Sequence, residues 1–349
     1  MNDTLDTWSW SLTPKETYHL CCVTLSCFSN VFLSYLILFK SPPQLGNYKY
    51  LMVYTSVFEV FYAVLDFIVK PLACSYGYAW FVIRLDSGMP PEISNVILVV
   101  WCGLFGVSQA IFAVHFVYRY GVMHKKFYTQ FLSGWKILIL FLIPVLIGGY
   151  WGCATYFPFI PTKDNRAYLR NIVQKLTGEE IEEMSYICAK FYNEDEKGEG
   201  LKFDGRVWFG LANLWVMVCS SMFCVFYLGF KCYSKIHSQL ELLENVRSQQ
   251  ATRLQQQLFF ALVAQTLIPV VFMYLPCTIL FFSAALNQDI GEISSLVTYT
   301  ITLYPVVDPI PNMVIIKSYR KAIRGDLTLG KQEKEIERFR YADKASELL

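Results

Sequence analysis

The chain has 349 residues and a formal net charge of +2; 54% of its residues are hydrophobic and only 17% are charged. So few charges cannot cover the surface of a water-soluble domain of 40.3 kDa, and the composition therefore excludes an ordinary soluble enzyme or binding module. Aromatic residues make up 17% of the chain, which suits lipid-facing surfaces and the interfacial belts of membrane proteins.

Seven apolar runs are each long enough to cross a bilayer, whose apolar core of about 30 Å requires roughly 20 helical residues. The pattern predicts an all-α membrane protein, a seven-transmembrane-helix bundle with a short amphipathic eighth helix. The seven spans are predicted at residues 17–39, 50–70, 93–118, 136–157, 207–230, 258–284 and 293–316.

The charges between the spans predict the orientation. The N-terminal segment and the even-numbered connectors carry a net charge of −6, whereas the odd-numbered connectors and the C-terminal segment carry +11. Positive charge concentrates on the cytoplasmic side, so we expect a multi-pass plasma-membrane protein with its N-terminus outside. The sequon Asn2-Asp3-Thr4 then lies where glycosylation takes place, which makes Asn2 a candidate site.

The connector 158–206 is large enough to carry structure of its own. Leu169, Ile172, Val173 and Leu176 recur at helical spacing, and a capping-box pattern follows at Thr177. Two short amphipathic helices forming a lid over the outer mouth fit this pattern; the alternative is a loosely ordered acidic loop.

Most of the eleven cysteines fall within spans, where they act as small apolar packing residues. Only Cys74 and Cys188 lie in outer connectors, where the environment is oxidising. The sequence predicts a disulfide between them, with two free thiols as the alternative.

No pattern of metal ligands, nucleophilic elbow or glycine-rich phosphate loop occurs, and only His115 of the four histidines lies deep in a predicted span. We therefore expect no enzyme activity, cofactor, metal site or nucleic-acid partner. His115 is expected to pack as a neutral, hydrogen-bonded residue.

Tyr118-Arg119-Tyr120 stands at the inner end of span 3. A guanidinium there must reach the headgroups or a protein partner, so membrane anchoring is one interpretation. The other is functional, because the triplet resembles the Asp-Arg-Tyr triplet of G-protein-coupled receptors.

Two further stretches narrow that resemblance. The segment from Leu45 to Met52, continuing through Phe58-Glu59-Val60-Phe61-Tyr62 to Asp66 and Lys70-Pro71, is similar to the second span of nematode serpentine chemoreceptors of the Str class. Asp308-Pro309-Ile310-Pro311, followed by the segment from Ile315 to Ile323, resembles the closing motif of the same family. The triplet here lacks an acid before Arg119, and no cysteine marks the outer end of span 3.

Two intramembrane acids stand at similar heights. Glu59 lies about 16 Å above the inner end of span 2, and Asp308 about 13 Å above that of span 7, at 1.5 Å per residue. They are predicted to share a polar site that binds a cation or holds a proton; the alternative is that each is satisfied separately. Asp66, near the outer mouth, is a candidate for the ligand pocket.

Proline residues predict where the bundle bends. Pro269 and Pro276 are two turns apart in span 6, and Pro305, Pro309 and Pro311 crowd span 7. We assign the switch for G-protein coupling to the Tyr118-Arg119-Tyr120 triplet together with Pro269, Pro276, Asp308 and Pro309. After span 7, Lys317, Arg320, Lys321 and Arg324 form one cationic face that suits an anionic lipid leaflet.

The sequence thus predicts a chemosensory, olfactory-type G-protein-coupled receptor that binds a small neutral, odorant-like ligand in an outer cavity and activates a heterotrimeric G protein. The predicted organisation is an extracellular N-terminus (1–16), a receptor domain (17–316), an amphipathic helix (317–330) and a cytoplasmic tail (331–349). The resemblance implies the ciliary membrane of a sensory neuron. The candidate pocket residues, chosen by depth, are Asp66, Trp101, Phe105, Trp215, Tyr274, Thr298 and Tyr299.

A seven-span ligand-gated channel or transporter is the alternative. Such a protein would show inverted repeats or a line of polar residues through the bundle, and neither pattern is visible in the sequence.

Overall fold

The computed structural model describes residues 12–85, 88–132, 134–194, 201–242, 246–288, 290 and 293–325. The predicted glycosylation site Asn2 and the predicted tail 331–349 lie outside these residues.

Helices dominate the described chain. In chain order they are α1 (Leu12–Lys40), α2 (Tyr48–Val69), α3 (Pro91–Met123), α4 (Lys125–Phe127), α5 (Ile137–Tyr156), α6 (Lys163–Thr177), α7 (Gly205–Leu242), α8 (Val246–Pro269), α9 (Leu275–Ala285), α10 (Ile293–Val307), α11 (Ile310–Ile315) and α12 (Lys317–Ile323). Short 3-10 turns cover Pro43–Leu45, Gly134–Lys136 and Ile181–Glu183, and π-helical turns cover Tyr128–Leu132 and Val270–Tyr274.

Six helical runs in the described residues are long and apolar enough to cross a bilayer. Spans 1 to 5 are α1, α2, α3, α5 and α7, and span 6 is the continuous run of α8, the π-helical turn Val270–Tyr274 and α9. The seventh predicted span is present as α10 and α11, which are separated at Asp308-Pro309. This arrangement confirms the predicted seven-helix membrane fold, and α12 follows as a short eighth helix.

The connectors at one end of the bundle form β-structure. The strands are β1 (Pro71–Tyr76), β2 (Ala79–Arg84), β3 (Tyr186–Lys190), β4 (Tyr192–Glu194) and β5 (Leu201–Phe203). Antiparallel β1, β2 and β3 form one sheet with β2 in the centre, and β4 pairs with β5. We call this end of the molecule the sheet end, and the opposite end, where Arg119 lies, the Arg119 end.

The hairpin of β1 and β2 was not predicted from the sequence. It turns at Gly77-Tyr78, with Tyr76 paired to Ala79 and Gly77 at φ +53°, a backbone conformation that glycine adopts without strain. All six residues of β2 are buried because both faces of the sheet are covered.

Successive side chains of β2 alternate between those two faces. Phe81 and Ile83 pack with Leu169 and Val173 of α6, whereas Trp80 and Val82 join the core of the bundle. The sheet therefore closes this end of the bundle and contributes side chains to its interior.

The prediction for the connector 158–206 was right in its first half and wrong in its second. The amphipathic helix is present as α6, which begins after Thr162, whose hydroxyl accepts from the Asn165 amide, and ends before Gly178 at φ +77°. The second predicted helix is replaced by the 3-10 turn Ile181–Glu183 and by β3. Pairing of this segment with the edge of β2 satisfies its backbone in extended form, which overrides the local helical pattern.

Candidate functional site

A cavity of about 80 Å³ lies inside the bundle beneath the sheet. Span 3, span 5, span 6 and the hairpin supply most of its wall. None of its lining residues is an acid or a base. They are Ala73, Trp80, Val82, Trp101, Cys102, Phe105, Gln109, Trp151, Thr155, Leu211, Leu214, Trp215, Val218, Tyr274, Cys277, Thr278, Phe281 and Ile301.

Four of the candidate pocket residues line this cavity, namely Trp101, Phe105, Trp215 and Tyr274. The other three lie outside it. The Thr298 hydroxyl accepts from the backbone amide of Ala73, the Tyr299 carbonyl accepts from the Tyr18 hydroxyl, and Asp66 lies behind the indole of Trp101.

Asp66 is a buried carboxylate with several partners. Trp101 Nε1 donates to Oδ1 at 2.9 Å, and the Thr302 hydroxyl donates to Oδ2 at 2.8 Å. Nδ1 of His19 lies 3.4 Å from Oδ2. Asp66 on span 2 thus contacts spans 1, 3 and 7. Its partner Trp101 also lines the cavity, so this cluster of contacts adjoins the cavity wall.

Glu59 and Asp308 meet in the centre of the bundle. Both are fully buried, and their carboxyl groups lie within hydrogen-bonding reach of each other. Gln265 Nε2 donates to Asp308 Oδ2 at 2.7 Å. The Asn30 side chain lies near Glu59, but neither oxygen of Glu59 nor Asp308 Oδ1 accepts a hydrogen bond of standard geometry among the described residues. Two acceptors that face each other in this way can be joined by a shared proton or by a cation.

The break in span 7 is stabilised by span 1. Pro309 has no N–H, so it cannot donate to the carbonyl of Pro305 one turn earlier. The side chains of Ser26 and Asn30 donate to that carbonyl instead, at 3.1 and 3.0 Å. The helix is therefore interrupted next to Asp308, and a polar contact with span 1 replaces the lost bond.

Span 6 changes its helical type between its two predicted hinge prolines. The π-helical turn Val270–Tyr274 begins directly after Pro269 and ends just before Pro276. Tyr274, the last residue of the turn, lines the cavity and shares a 2.5 Å hydrogen bond with the Ser108 hydroxyl of span 3. Wider turns of this kind weaken the regular hydrogen-bond ladder and are frequent at functional sites.

Arg119 lies near the C-terminal end of α3, and its guanidinium has no acidic partner among the described residues. Nη1 donates to Gln255 Oε1 of span 6 at 2.5 Å, and the guanidinium carbon lies 3.9 Å from the centre of the Tyr48 ring of span 2. Its Nε and Nη2 have no hydrogen-bond partner among the described residues. Of the flanking residues, Tyr118 stacks on Tyr48 and Tyr120 stacks on His124.

His115 secures the position of Tyr48. Its Nδ1 lies 2.8 Å from the Tyr48 hydroxyl and its Nε2 lies 2.9 Å from the Thr55 hydroxyl. This is the hydrogen-bonded, buried histidine that the sequence predicts. It fixes the ring on which the Arg119 guanidinium rests.

The predicted disulfide is wrong. Cys74 and Cys188 lie on the two outer strands of the sheet, and each is paired with Phe81 of the central strand. Two strand spacings separate them by roughly 9.5 Å, beyond the Cα separation of about 7 Å that a disulfide spans. All eleven cysteines of the chain lie in the described residues and are thiols.

Several site residues were missed in the sequence. Gln109, Gln255 and His19 stand in apolar or helical runs without a motif, and only their surroundings in the folded bundle give them a role. A polar side chain within a span was the available signal, because burying an amide or imidazole in a membrane bundle is costly without a partner.

Comparisons with known proteins agree with this architecture. Residues 15–324 match the family described as serpentine type 7TM GPCR chemoreceptor Str. The G-protein coupled receptor str-217 of Caenorhabditis elegans is 32% identical over 311 residues, covering 88% of each chain. The serpentine receptor class r-10 of the same organism is 27% identical and covers 89% of this chain and 90% of its own length.

The fold also resembles a solved receptor structure. Squid rhodopsin superposes with a TM-score of 0.53, covering 89% of this chain and 83% of that one at 10% identity, which supports the shared seven-helix fold. Since the family match extends from span 1 to α12, the chain belongs to the Str family of serpentine seven-transmembrane chemoreceptors.

Proposed function

We propose that this receptor binds a small odorant-like molecule in the cavity beneath the sheet and activates a heterotrimeric G protein at the Arg119 end. One observation carries the proposal: span 6 contacts the cavity, the Asp308 site and Arg119. Its α9 segment lines the cavity, its π-helical turn forms a hinge, and its α8 segment carries Gln265 and Gln255, which bond to Asp308 and Arg119.

The structure corresponds to a resting state in this mechanism. Gln255 and the Tyr48 ring hold Arg119 between spans 2, 3 and 6, in place of the ion pair that an acidic neighbour would provide. A ligand in the cavity contacts Tyr274 and α9, and bending at the hinge moves the Arg119 end of α8 away from the bundle. We call the resulting conformation the swung state. The ligand shifts the population only by binding the swung state more tightly.

The Glu59 and Asp308 pair is the second contact that this motion changes. Gln265 moves with α8, so its bond to Asp308 breaks when α8 swings outward. A shared proton or a cation between the two carboxyls stabilises the resting arrangement, and we assign that role to this site.

The charge distribution supports the orientation. We place the sheet end and the N-terminus outside and the Arg119 end in the cytosol, in the ciliary plasma membrane of a sensory neuron. Exposed cationic side chains then face anionic lipid, namely Lys317 and Arg320 of α12 and Arg324 directly after it. The buried Tyr319 packs on the bundle, where its hydroxyl shares a 2.7 Å hydrogen bond with Ser41.

Two measurements test the proposal. An epitope placed before Thr4 is expected to stain intact cells, and one after Glu347 only permeabilised cells. Arg119→Ala is expected to abolish G-protein activation at an unchanged surface level. Ligand binding should be retained or become tighter, because the change lies far from the cavity but also removes the contact with Gln255 that restrains the resting state. Reversed labelling, or full signalling by Arg119→Ala at equal surface level, would overturn the proposal.

A further inference from the structure

The polar side chains that line the cavity differ in whether they already have hydrogen-bond partners. The Trp101 indole donates to Asp66, the Tyr274 hydroxyl bonds to Ser108, and the Thr155 hydroxyl donates to the Trp151 carbonyl. These groups hold the wall together. They are not available to a ligand without breaking a contact.

The Trp80 indole nitrogen has no partner among the described residues, but it has no accessible surface at which a ligand could bond to it. Gln109 is different. It lies on α3 and is only 4% exposed, and its carboxamide lines the cavity without a hydrogen-bond partner among the described residues. The one hydrogen bond at Gln109 outside the helix ladder is at its backbone carbonyl, which accepts from Ser221. Thr278, on the α9 segment that also borders the cavity, likewise has a hydroxyl without a partner in the described chain.

A buried amide without a partner is costly, by about 1–3 kcal/mol, so such a group is expected to be satisfied in the working protein. Here the surrounding wall is aromatic and aliphatic and contains no charge. The missing partner must therefore come from the content of the cavity. A ligand that supplies it gains a hydrogen bond, whereas an alkane of the same shape does not.

The size of the cavity limits the ligand further. An apolar protein cavity of about 150 Å³ binds benzene, so a cavity of about 80 Å³ limits the ligand to about six non-hydrogen atoms or fewer. A charged group of that size would lose its hydration without a countercharge, because no acid or base lines the cavity and Asp66 is shielded behind Trp101.

We infer that Gln109 is the residue that determines ligand specificity, and that the ligand is an uncharged molecule of this size with one carbonyl or hydroxyl group bonded to the Gln109 carboxamide. The hydroxyl of Thr278 is the second polar contact. This inference rests on the proposed function, since it assigns the ligand class to the same cavity.

The test uses the purified full-length receptor in lipid nanodiscs, with two separate readouts. Binding is measured by quenching of tryptophan fluorescence, because Trp80, Trp101, Trp151 and Trp215 surround the cavity, and signalling by nucleotide exchange on added G protein. The probes are methyl propyl ketone and n-pentanol, compared with n-hexane, n-pentylammonium and the larger methyl nonyl ketone. The ketone or the alcohol is expected to bind about tenfold more tightly than each of the three others.

Gln109→Leu keeps the side-chain volume and removes the hydrogen bond. It is expected to weaken ketone or alcohol binding about fivefold, which corresponds to one hydrogen bond of about 1 kcal/mol, and to leave n-hexane binding unchanged or tighter. Gln250→Leu, the same change at an exposed position of α8, is the matched control. If Gln109→Leu reaches the membrane poorly, Gln109→Met removes the same hydrogen bond. The preference of the wild-type protein for the ketone or the alcohol over n-hexane then provides a second test that needs no variant.

The two readouts separate the inference from the proposed function. Binding with the expected selectivity but without nucleotide exchange would overturn the receptor mechanism and retain the assignment of Gln109. Equal binding of n-hexane and the ketone, no binding of either small polar probe, or unchanged ketone binding by Gln109→Leu would overturn the assignment.

Discussion

The two buried acidic sites of the bundle are satisfied to different degrees. Asp66, on the side of the sheet end, accepts from Trp101 and Thr302 and lies against His19. Glu59, two turns closer to the Arg119 end on the same helix, faces the carboxyl of Asp308. The Asn30 side chain lies near it, but neither Glu59 oxygen accepts a hydrogen bond of standard geometry in the described chain.

The two halves of the molecule differ in how their backbone is held, although the sheet end also contains buried side-chain atoms without a hydrogen-bond partner among the described residues, such as Trp80 Nε1 and the Tyr186 hydroxyl. The sheet end is closed by a three-stranded sheet whose two faces are covered by side chains. Towards the Arg119 end, span 7 is broken at Pro309 and Arg119 keeps two nitrogen atoms without a hydrogen-bond partner among the described residues. A paired sheet favours one arrangement, whereas a broken helix with poorly satisfied polar groups beside it leaves another arrangement close in free energy.

The largest expected effect comes from removing the satisfied acid. Asp66→Ala leaves the Trp101 indole and the Thr302 hydroxyl without their carboxylate, and we expect it to lower the free energy of unfolding by about 3 kcal/mol. Thermal melting of the purified receptor measures the loss. Asp66→Asn keeps one acceptor oxygen and should lose about half as much. If the Asp66→Ala variant has the same melting temperature as the wild type, the two acids do not differ in their contribution to stability.

The next effect concerns the restraint on Arg119. Gln255→Ala removes the hydrogen bond to the guanidinium, which is worth about 1.5 kcal/mol, so the swung state becomes roughly tenfold more populated. Ligand-independent nucleotide exchange, measured at equal surface level, should rise by a similar factor.

The neighbouring residue supplies the control for that prediction. Gln256→Ala changes a side chain that makes no hydrogen bond to another described residue, and its basal activity should equal that of the wild type. If both variants show the same basal activity, the contact between Gln255 and Arg119 is not a restraint on the resting state.

Much of the fold follows from the sequence because bilayer thickness sets the length of each apolar run. That physical limit predicted the spans, and the proline spacing predicted where spans 6 and 7 are interrupted. The hairpin of β1 and β2 was missed because its strands are only six residues long and the segment lies between two spans. Gly77, next to the apolar run of β2, was the local signal for its turn.

The candidate sites were harder to predict because their contacts join distant helices. Helical periodicity relates Arg119 to residues one turn away, but Gln255 is 136 residues further along the chain. The proposed restraint therefore depends on which faces of spans 2, 3 and 6 meet. For the same reason, depth alone placed Trp101 at the cavity wall correctly and also selected Thr298, which bonds to the hairpin instead.

A smaller effect, of opposite sign, is expected at the unsatisfied acid. Glu59→Gln keeps the shape of the side chain and supplies an N–H group to the free oxygen of Asp308, so we expect the free energy of unfolding to rise by about 1 kcal/mol. Asp66→Asn, the same chemical change at the satisfied acid, should lower it. Melting temperatures that fall equally in the two variants would show that both acids are structural in the same way.

Single changes of similar size are expected at the sheet, where the two cysteines test whether its rigidity comes from packing or from a covalent link. Burial raises the pKa of the Cys188 thiol to about 12, so little thiolate is present at neutral pH and alkylation of the folded protein should be slow. After denaturation without reductant, both Cys74 and Cys188 should be alkylated.

Cys74→Ala and Cys188→Ala should each lower the free energy of unfolding by about 1 kcal/mol, and the double variant by their sum, since Phe81 separates the two side chains. A disulfide would instead give a linked peptide in a non-reducing peptide map, and the double variant would be as stable as either single variant. The rigidity of the sheet end would then come from a covalent bond.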